Sequence, residues 1–181
     1  FLWSGGWFIH TLYSLAGMRI NEWNLGFDPV LPQGWKQVDY DILWQGEWRH
    51  VCYSGEGSYF RQISLDNHPI PSAIIPDSGH TIRLERGIPE IPYLAEANGR
   101  IDQVTWQSSP PILRIGIRGL PGQSIHLSII SPWPLRSLLV NGLSPSTPPA
   151  VYPEEPIQRI EIQTSLNRNQ SSLELEFDPH P

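Results

Sequence analysis

The first seventeen residues carry a pattern of apolar positions that differs from the rest of the chain. No proline occurs between Trp7 and Ala16, and apolar side chains fall on nearly every side of a helix built from this segment. Ser4 is a residue type that caps helix N-termini, and Gly17 is a type that ends helices. The pattern predicts a helix over residues 1–17 that is buried on all sides, which requires further helices to cover it.

From Ile20 onward, the pattern changes to short apolar runs separated by turn residues. Residues 38–44 alternate between apolar and polar side chains, which is the period of a strand with one buried face. Glycine-containing turns at 45–46 and 55–57 separate this strand from those that follow. Strands of this length and spacing are typical of an antiparallel sandwich. We therefore predict a β-sandwich domain over residues 18–86.

The C-terminal half repeats the strand pattern. Apolar runs between 112 and 177 predict a second β unit over residues 102–181, and residues 87–101 are rich in proline and glycine, which predicts a linker or long crossing loop. Each half contains a strand that ends in Leu-x-Asn and is followed by Pro-Ser, at 65–72 and 139–146. Internal duplication and convergent hairpin chemistry both explain this motif. The predicted fold class is mainly β: one terminal helix followed by antiparallel β-sandwich structure, in one or two β units.

Composition and charge narrow the possible partners. The 19 prolines suit strand edges and connections, and the net charge is −6 with Lys36 as the only lysine. The basic residues are scattered, which argues against a nucleic-acid partner. No apolar run is long enough for a transmembrane helix, and the start of the chain lacks the features of a signal peptide. The compartment therefore stays open. Because the chain opens on the apolar residues Phe1-Leu2-Trp3, we expect it to be a piece of a longer protein.

Four motifs in the first half of the chain occur in a specific order. They are Ser4-Gly5-Gly6-Trp7, Ala16-Gly17-Met18-Arg19-Ile20, Phe27-Asp28-Pro29-Val30-Leu31-Pro32 and Gly34-Trp35. This series resembles the end of six-hairpin (α/α)6-barrel glycosidases and phosphorylases, with cellobiose-phosphorylase-like enzymes nearest. Residues 35–75 also resemble the C-terminal sandwich of that group, so that the resemblance covers about residues 4–84. In that group, a small-residue turn and a tryptophan open the last barrel helix, and an Asp-Pro motif leads into a C-terminal β-sandwich. The resemblance implies that residues 1–17 are the last helix of a helical barrel.

The resemblance also implies a function. The parent protein would be a glycoside hydrolase or glycoside phosphorylase, and this chain would brace the catalytic barrel and border its sugar cleft. Its partners would be the upstream barrel, of the same or another chain, and an oligosaccharide. Glycoside cleavage needs carboxylic acids in defined positions, and those of this chain lie on strands and turns without a paired context. We therefore assign no catalytic residue. A free-standing carbohydrate-binding or adhesion-type β module is the alternative.

The candidate substrate-binding residues lie at the start of the predicted helix. The resemblance places Ser4 where the phosphorylases carry a hydroxyl residue that helps to bind phosphate, although a plain N-cap explains it equally well. Gly6 would allow close approach of a ligand or a neighbouring helix, and Trp7 offers a flat face to a sugar ring. His10, one turn further, either contacts the sugar site or is hydrogen-bonded structure.

Cysteine and histidine positions do not indicate a metal site. The single cysteine, Cys52, excludes an internal disulfide framework and a cysteine-based zinc site within the chain. We expect it to be a small buried residue on a strand. The six histidines show neither H-x-H nor H-E-x-x-H spacing. We therefore predict no metal and no cofactor.

Overall fold

The computed structural model describes residues 2–20 and 23–179, without the side chains of residues 2–5 and 9. In this part of the chain, a single helix is followed by sixteen strands, so the mainly β prediction is confirmed. Among the described residues, no helix combines the length and the apolarity needed to cross a membrane. The elements are α1 (Leu2–Leu15), β1 (Met18–Ile20), β2 (Leu25–Phe27), β3 (Gln37–Trp44), β4 (Glu47–Gly55), β5 (Phe60–Leu65), β6 (His68–Pro69), β7 (Ile74–Ile75), β8 (Thr81–Arg86), β9 (Tyr93–Ala97), β10 (Arg100–Ser108), β11 (Pro111–Arg118), β12 (Ser124–Ser131), β13 (Leu135–Val140), β14 (Ala150–Glu154), β15 (Ile157–Ser165) and β16 (Gln170–Phe177).

Helix α1 lies within the predicted segment 1–17 and ends before Gly17, as the sequence predicts, but Ser4 does not mark its start. Gly17 has a φ of 73°, and its N–H donates to the Ser14 carbonyl at 3.1 Å, which closes the last turn. The helix begins at Leu2, so Ser4 lies inside it and is not its N-cap. A capping side chain contributes only about 1 kcal/mol, which is too little to prevent the helix from extending past it.

The first sandwich pairs a three-stranded sheet, in the order β1-β2-β7, with a five-stranded sheet, in the order β3-β4-β8-β5-β6. Val38, Tyr40 and Trp44 pack on the core between the sheets, as their alternation predicts. One pair departs from the antiparallel prediction, because β8 lies between β4 and β5 and runs parallel to β4. The periodicity of a strand indicates which face is buried, but not the direction of its neighbour.

The second sandwich consists of two four-stranded antiparallel sheets, in the orders β10-β11-β16-β13 and β14-β15-β12-β9. Strand β9 and the start of β10 lie in the segment 87–101, which we predicted to be a linker. Residues 93–97 of this segment form a strand, because β9 pairs with β12, and Leu94 is fully buried there. The prolines and glycine that suggested a linker are concentrated at 87–92, just before the strand. The domain boundaries themselves stay a prediction.

The two sandwiches share buried contacts. The Leu94 N–H donates to the Pro71 carbonyl at 3.0 Å, and the Ala73 N–H donates to the Leu94 carbonyl at 2.8 Å. Ile130 and Ile157, from strands of the second sandwich, belong to the core of the first. The described units are therefore packed together through β9 and β12.

The hairpin motif that both halves share adopts the predicted conformation. Asn67 and Asn141 have φ angles of 66° and 53°, in the left-handed region. The first turn joins β5 to β6 in a sheet with a parallel pair, whereas the second follows β13 in a wholly antiparallel sheet. The different strand orders favour shared turn chemistry over an internal duplication.

Candidate functional site

The described side chains of α1 are mostly exposed. Trp7 is 75% exposed, Phe8 62%, and Leu12 and Leu15 48% each. At 100° per residue these four fall within about 140° of the helix circumference, and we call them the apolar helix face. Tyr13 lies on the opposite side of the helix and packs on the core of the first sandwich. The helix thus contacts the sandwich with one side and presents an uncovered apolar surface on the other.

The end of the helix is fixed to the sandwich at Gly17. The Asp28 N–H donates to the Gly17 carbonyl at 2.6 Å, and the buried Tyr53 hydroxyl donates to the Asp28 carbonyl. The Tyr40 hydroxyl donates to the Ala16 carbonyl at 3.0 Å. Burial raises the pKa of both tyrosines, so these hydroxyls stay protonated donors. This network determines the direction in which α1 leaves the sandwich.

A groove of about 400 Å³ lies between α1, β1, β2 and β9. His10 and Ser14 line it from the helix, and the Ser14 hydroxyl donates to the His10 carbonyl at 2.9 Å. Arg19 lines it from β1 and Glu96 from β9. These polar groups around an open groove could bind a hydroxylated or charged ligand.

Ion pairs hold the carboxylates next to this groove. Arg19 contacts Asp28, and its Nη1 lies 2.6 Å from Oε1 of Glu96. Burial lowers the pKa of Arg19, but hydrogen bonds to Glu96 and Asp28 and their charges raise it above its ordinary value overall. Burial raises the pKa of Asp28, and Arg19 opposes the rise. Because both carboxylates are bound to the same guanidinium, they are engaged in structure and do not form a free acid and base.

The predicted site residues are only partly brought together. Ser4 lies in α1 and its side chain is outside the described part of the structure. A Cβ on Gly6 would meet no atom within 4 Å, so nothing described opposes a side chain there. Trp7 is exposed on the apolar helix face, whereas His10 lines the groove. Arg19 was missed as a groove residue, although it stands in the motif that ends the helix.

A comparison with protein families found a match to part of the first sandwich. Residues 18–71 match the model of the glycosyl hydrolase family 65, C-terminal domain. The match begins directly after Gly17 and covers β1 to β6. No curated protein and no solved structure matched the chain. The resemblance to the C-terminal region of glycosidases and phosphorylases is therefore confirmed at the level of this domain, while cellobiose-phosphorylase-like enzymes as the nearest group stay a prediction.

Proposed function

We propose that this chain is the C-terminal part of a carbohydrate-active enzyme, a glycoside hydrolase or phosphorylase, and that α1 braces its catalytic barrel. The observation that carries the proposal is the uncovered apolar helix face, directly before a segment similar to a glycosyl hydrolase C-terminal domain. Contiguous exposed apolar surface of this kind marks interaction sites. The occupant is the upstream helical barrel, of the same or another chain.

The energy available from covering this face is substantial. Burying a Leu or Phe side chain fully contributes about 1.5–3 kcal/mol. The four side chains of the apolar helix face are about half to three-quarters exposed, so covering them would contribute roughly 4–7 kcal/mol in total. The ordering of the docked side chains reduces this figure. The free energy that remains after this cost is enough to keep α1 packed against a barrel of the same chain.

The N-terminal half of the same helix suits a position at the border of a sugar cleft. Trp7 presents an exposed indole that can stack on a sugar ring. His10 lies about one helical turn after Trp7 and lines the same groove as Arg19. In this arrangement Ser4, Gly6, Trp7 and His10 contact substrate or phosphate, and the catalytic carboxylates are supplied by the barrel.

A free-standing carbohydrate-binding or adhesion-type module is the second candidate. Trp48 is 65% exposed and lies opposite the exposed Leu43 on the outer face of the five-stranded sheet. A flat apolar surface of this kind can stack on a sugar without any catalytic domain. Under this alternative, the apolar helix face would need no enzyme to cover it.

Two measurements test the proposal. The native protein should have an intact mass far above the 20.6 kDa of this chain. The 181-residue chain alone should associate in analytical ultracentrifugation, and the combined substitutions Phe8→Ser, Leu12→Ser and Leu15→Ser should make it monomeric. Leu120→Ser is the matched control, because Leu120 is 74% exposed outside the helix. A native protein of 20.6 kDa that is a monomer with an intact α1 would contradict the proposal.

A further inference from the structure

The outer face of the five-stranded sheet carries a second group of chemically active side chains. Strands β3 and β4 pair so that Asp39 lies opposite Cys52 and Asp41 lies opposite His50. Val51, which alternates with His50 and Cys52 on β4, is fully buried in the core. The four polar side chains therefore share the solvent face. Cys52 is half-buried there, so our expectation that it is a buried core residue is wrong.

Three of these side chains lie within reach of one metal ion. One ligand atom from each of Asp39, His50 and Cys52 lies within 4.8 Å of the other two. In a tetrahedral zinc site, bond lengths of about 2.0–2.3 Å place the ligand atoms roughly 3.3–3.8 Å apart. Metal binding would therefore require side-chain rotations that bring the three ligand atoms closer together. A carboxylate, an imidazole and a thiol form a ligand set that zinc accepts.

Asp41 occupies the position of a supporting group. Its Oδ1 lies 2.8 Å from Nδ1 of His50. Histidines that bind metals commonly donate their other ring N–H to a carboxylate, which fixes the ring and its tautomer. Gln37 performs a similar role for Asp39, because its Nε2 donates to Oδ2 at 2.9 Å. The cluster thus has an outer set of hydrogen bonds as well as its three ligand atoms.

The charges around the cluster are consistent with a cation. The Cys52 thiol is hydrogen-bonded to the Asp39 carboxylate on the neighbouring strand. A divalent cation bound between them would displace the thiol proton, and the charges of the thiolate and of the Asp39 carboxylate would balance that of the cation. Arg83 lies opposite Cys52 on β8 and is the positive neighbour that limits the affinity.

We propose that Asp39, His50 and Cys52 bind a divalent transition metal such as Zn²⁺, with Asp41 orienting His50. Three protein ligands leave a fourth position open to water or to an external ligand. This proposal departs from our sequence analysis, which took the single cysteine to exclude a cysteine-based zinc site and considered only histidine pairs and several cysteines, not a mixed set of one cysteine, one histidine and one aspartate. The informative spacing is His50-Val51-Cys52, which places two ligands on one face of a strand, and the third ligand comes from the neighbouring strand.

Titration of the 181-residue chain with Co²⁺ tests the site. Cys52 is the only cysteine, so thiolate-to-cobalt charge-transfer absorption can arise from no other residue. We expect one Co²⁺ per chain with this absorption, displaced by Zn²⁺. Cys52→Ser should abolish the band, and Asp39→Asn or His50→Gln should weaken binding at least tenfold. Asp41→Asn should weaken it less, consistent with a positioning role.

His68→Gln is the matched control, because His68 is also exposed on this sheet but lies outside the cluster. It should leave the Co²⁺ affinity and the absorption unchanged. Circular dichroism and urea unfolding of every variant should show that the fold is retained. The proposal is overturned if the folded native chain shows no thiolate absorption at millimolar Co²⁺. It is equally overturned if binding persists unchanged in Cys52→Ser.

Discussion

Gly17 joins the helix to the sandwich, and replacing it with alanine should destabilise the chain severely. Its φ of 73° is in the left-handed region, which costs an L-residue about 1–2 kcal/mol. A Cβ at this position would also lie 2.7 Å from the Asp28 carbonyl oxygen and 2.9 Å from the Tyr53 hydroxyl oxygen. Neither atom can move freely, because the Tyr53 hydroxyl donates a partly buried hydrogen bond to the Asp28 carbonyl.

The steric part of this effect can be separated from the conformational part. Gly34 has a similar φ of 87°, but a Cβ there would meet no atom within 4 Å. Gly34→Ala should therefore cost only the conformational term of about 1–2 kcal/mol. Gly17→Ala adds the displacement of Asp28 and the weakening of a partly buried hydrogen bond, which is about 1–3 kcal/mol. We expect about 2–5 kcal/mol for Gly17→Ala.

The two variants should be compared by equilibrium unfolding in urea, monitored by tryptophan fluorescence and by circular dichroism. The difference between their free energies of unfolding reports the contact at Gly17 alone, because both share the left-handed backbone. Both variants should be made in the chain that carries Phe8→Ser, Leu12→Ser and Leu15→Ser, so that association of chains does not affect the measured free energy of unfolding. Equal stabilities within about 0.5 kcal/mol, the range of ordinary surface substitutions, would refute the close packing of Gly17 against Asp28 and Tyr53.

Three further predictions concern the contacts between the sandwiches, acid stability and the parent enzyme. The side chain of the buried Asn24 donates to the Gly99 carbonyl at 2.9 Å and accepts from the Ile101 N–H at 3.4 Å, so Asn24→Ala should lower the free energy of unfolding by about 1–3 kcal/mol in urea. Backbone N–H groups of Thr81 and His80 lower the pKa of Asp66. The ionised Asp66 carboxylate therefore stabilises the fold at pH values above its unfolded-state pKa, and this stabilisation is lost as the pH falls through the lower folded-state pKa. The Tm of the native chain should exceed that of Asp66→Asn at neutral pH, and this difference in Tm should narrow below about pH 4. In the intact enzyme, Gly6→Val should reduce turnover more than Tm, and Ser4→Ala should raise the KM for phosphate or sugar; activity losses that follow unfolding would remove both residues from the site.

Another prediction concerns the catalytic activity of the isolated 181-residue chain. The isolated chain should hydrolyse no aryl glycoside, because Asp28 and Glu96 beside the groove are bound to Arg19 and the described residues pair no free acid and base there. A panel of aryl glycosides with purified chain is the measurement. Hydrolysis that disappears when one of the chain's own carboxylates is replaced would contradict the assignment of catalysis to the barrel.

The sequence by itself determined the features that depend on neighbouring residues. The alternation of Val38, Tyr40 and Trp44 follows from a backbone whose side chains point to opposite faces, and it correctly predicted which ones pack on the core. Gly17 and the two Asn turns followed from the low cost of left-handed φ for these residue types. The order of the motifs around the helix was sufficient to indicate the glycosidase and phosphorylase group, and the family match confirmed it for residues 18–71.

Only the tertiary structure decided which distant residues meet. The parallel pairing of β4 with β8, the place of β9 beside β12 and the groove between His10, Arg19 and Glu96 all depend on contacts between segments far apart in the chain. The cluster of Asp39, His50 and Cys52 depends on the register of β3 against β4, because a shift of one residue would turn one set of side chains to the other face. Local periodicity carries no information about register or strand order, which are set by the packing of the whole core.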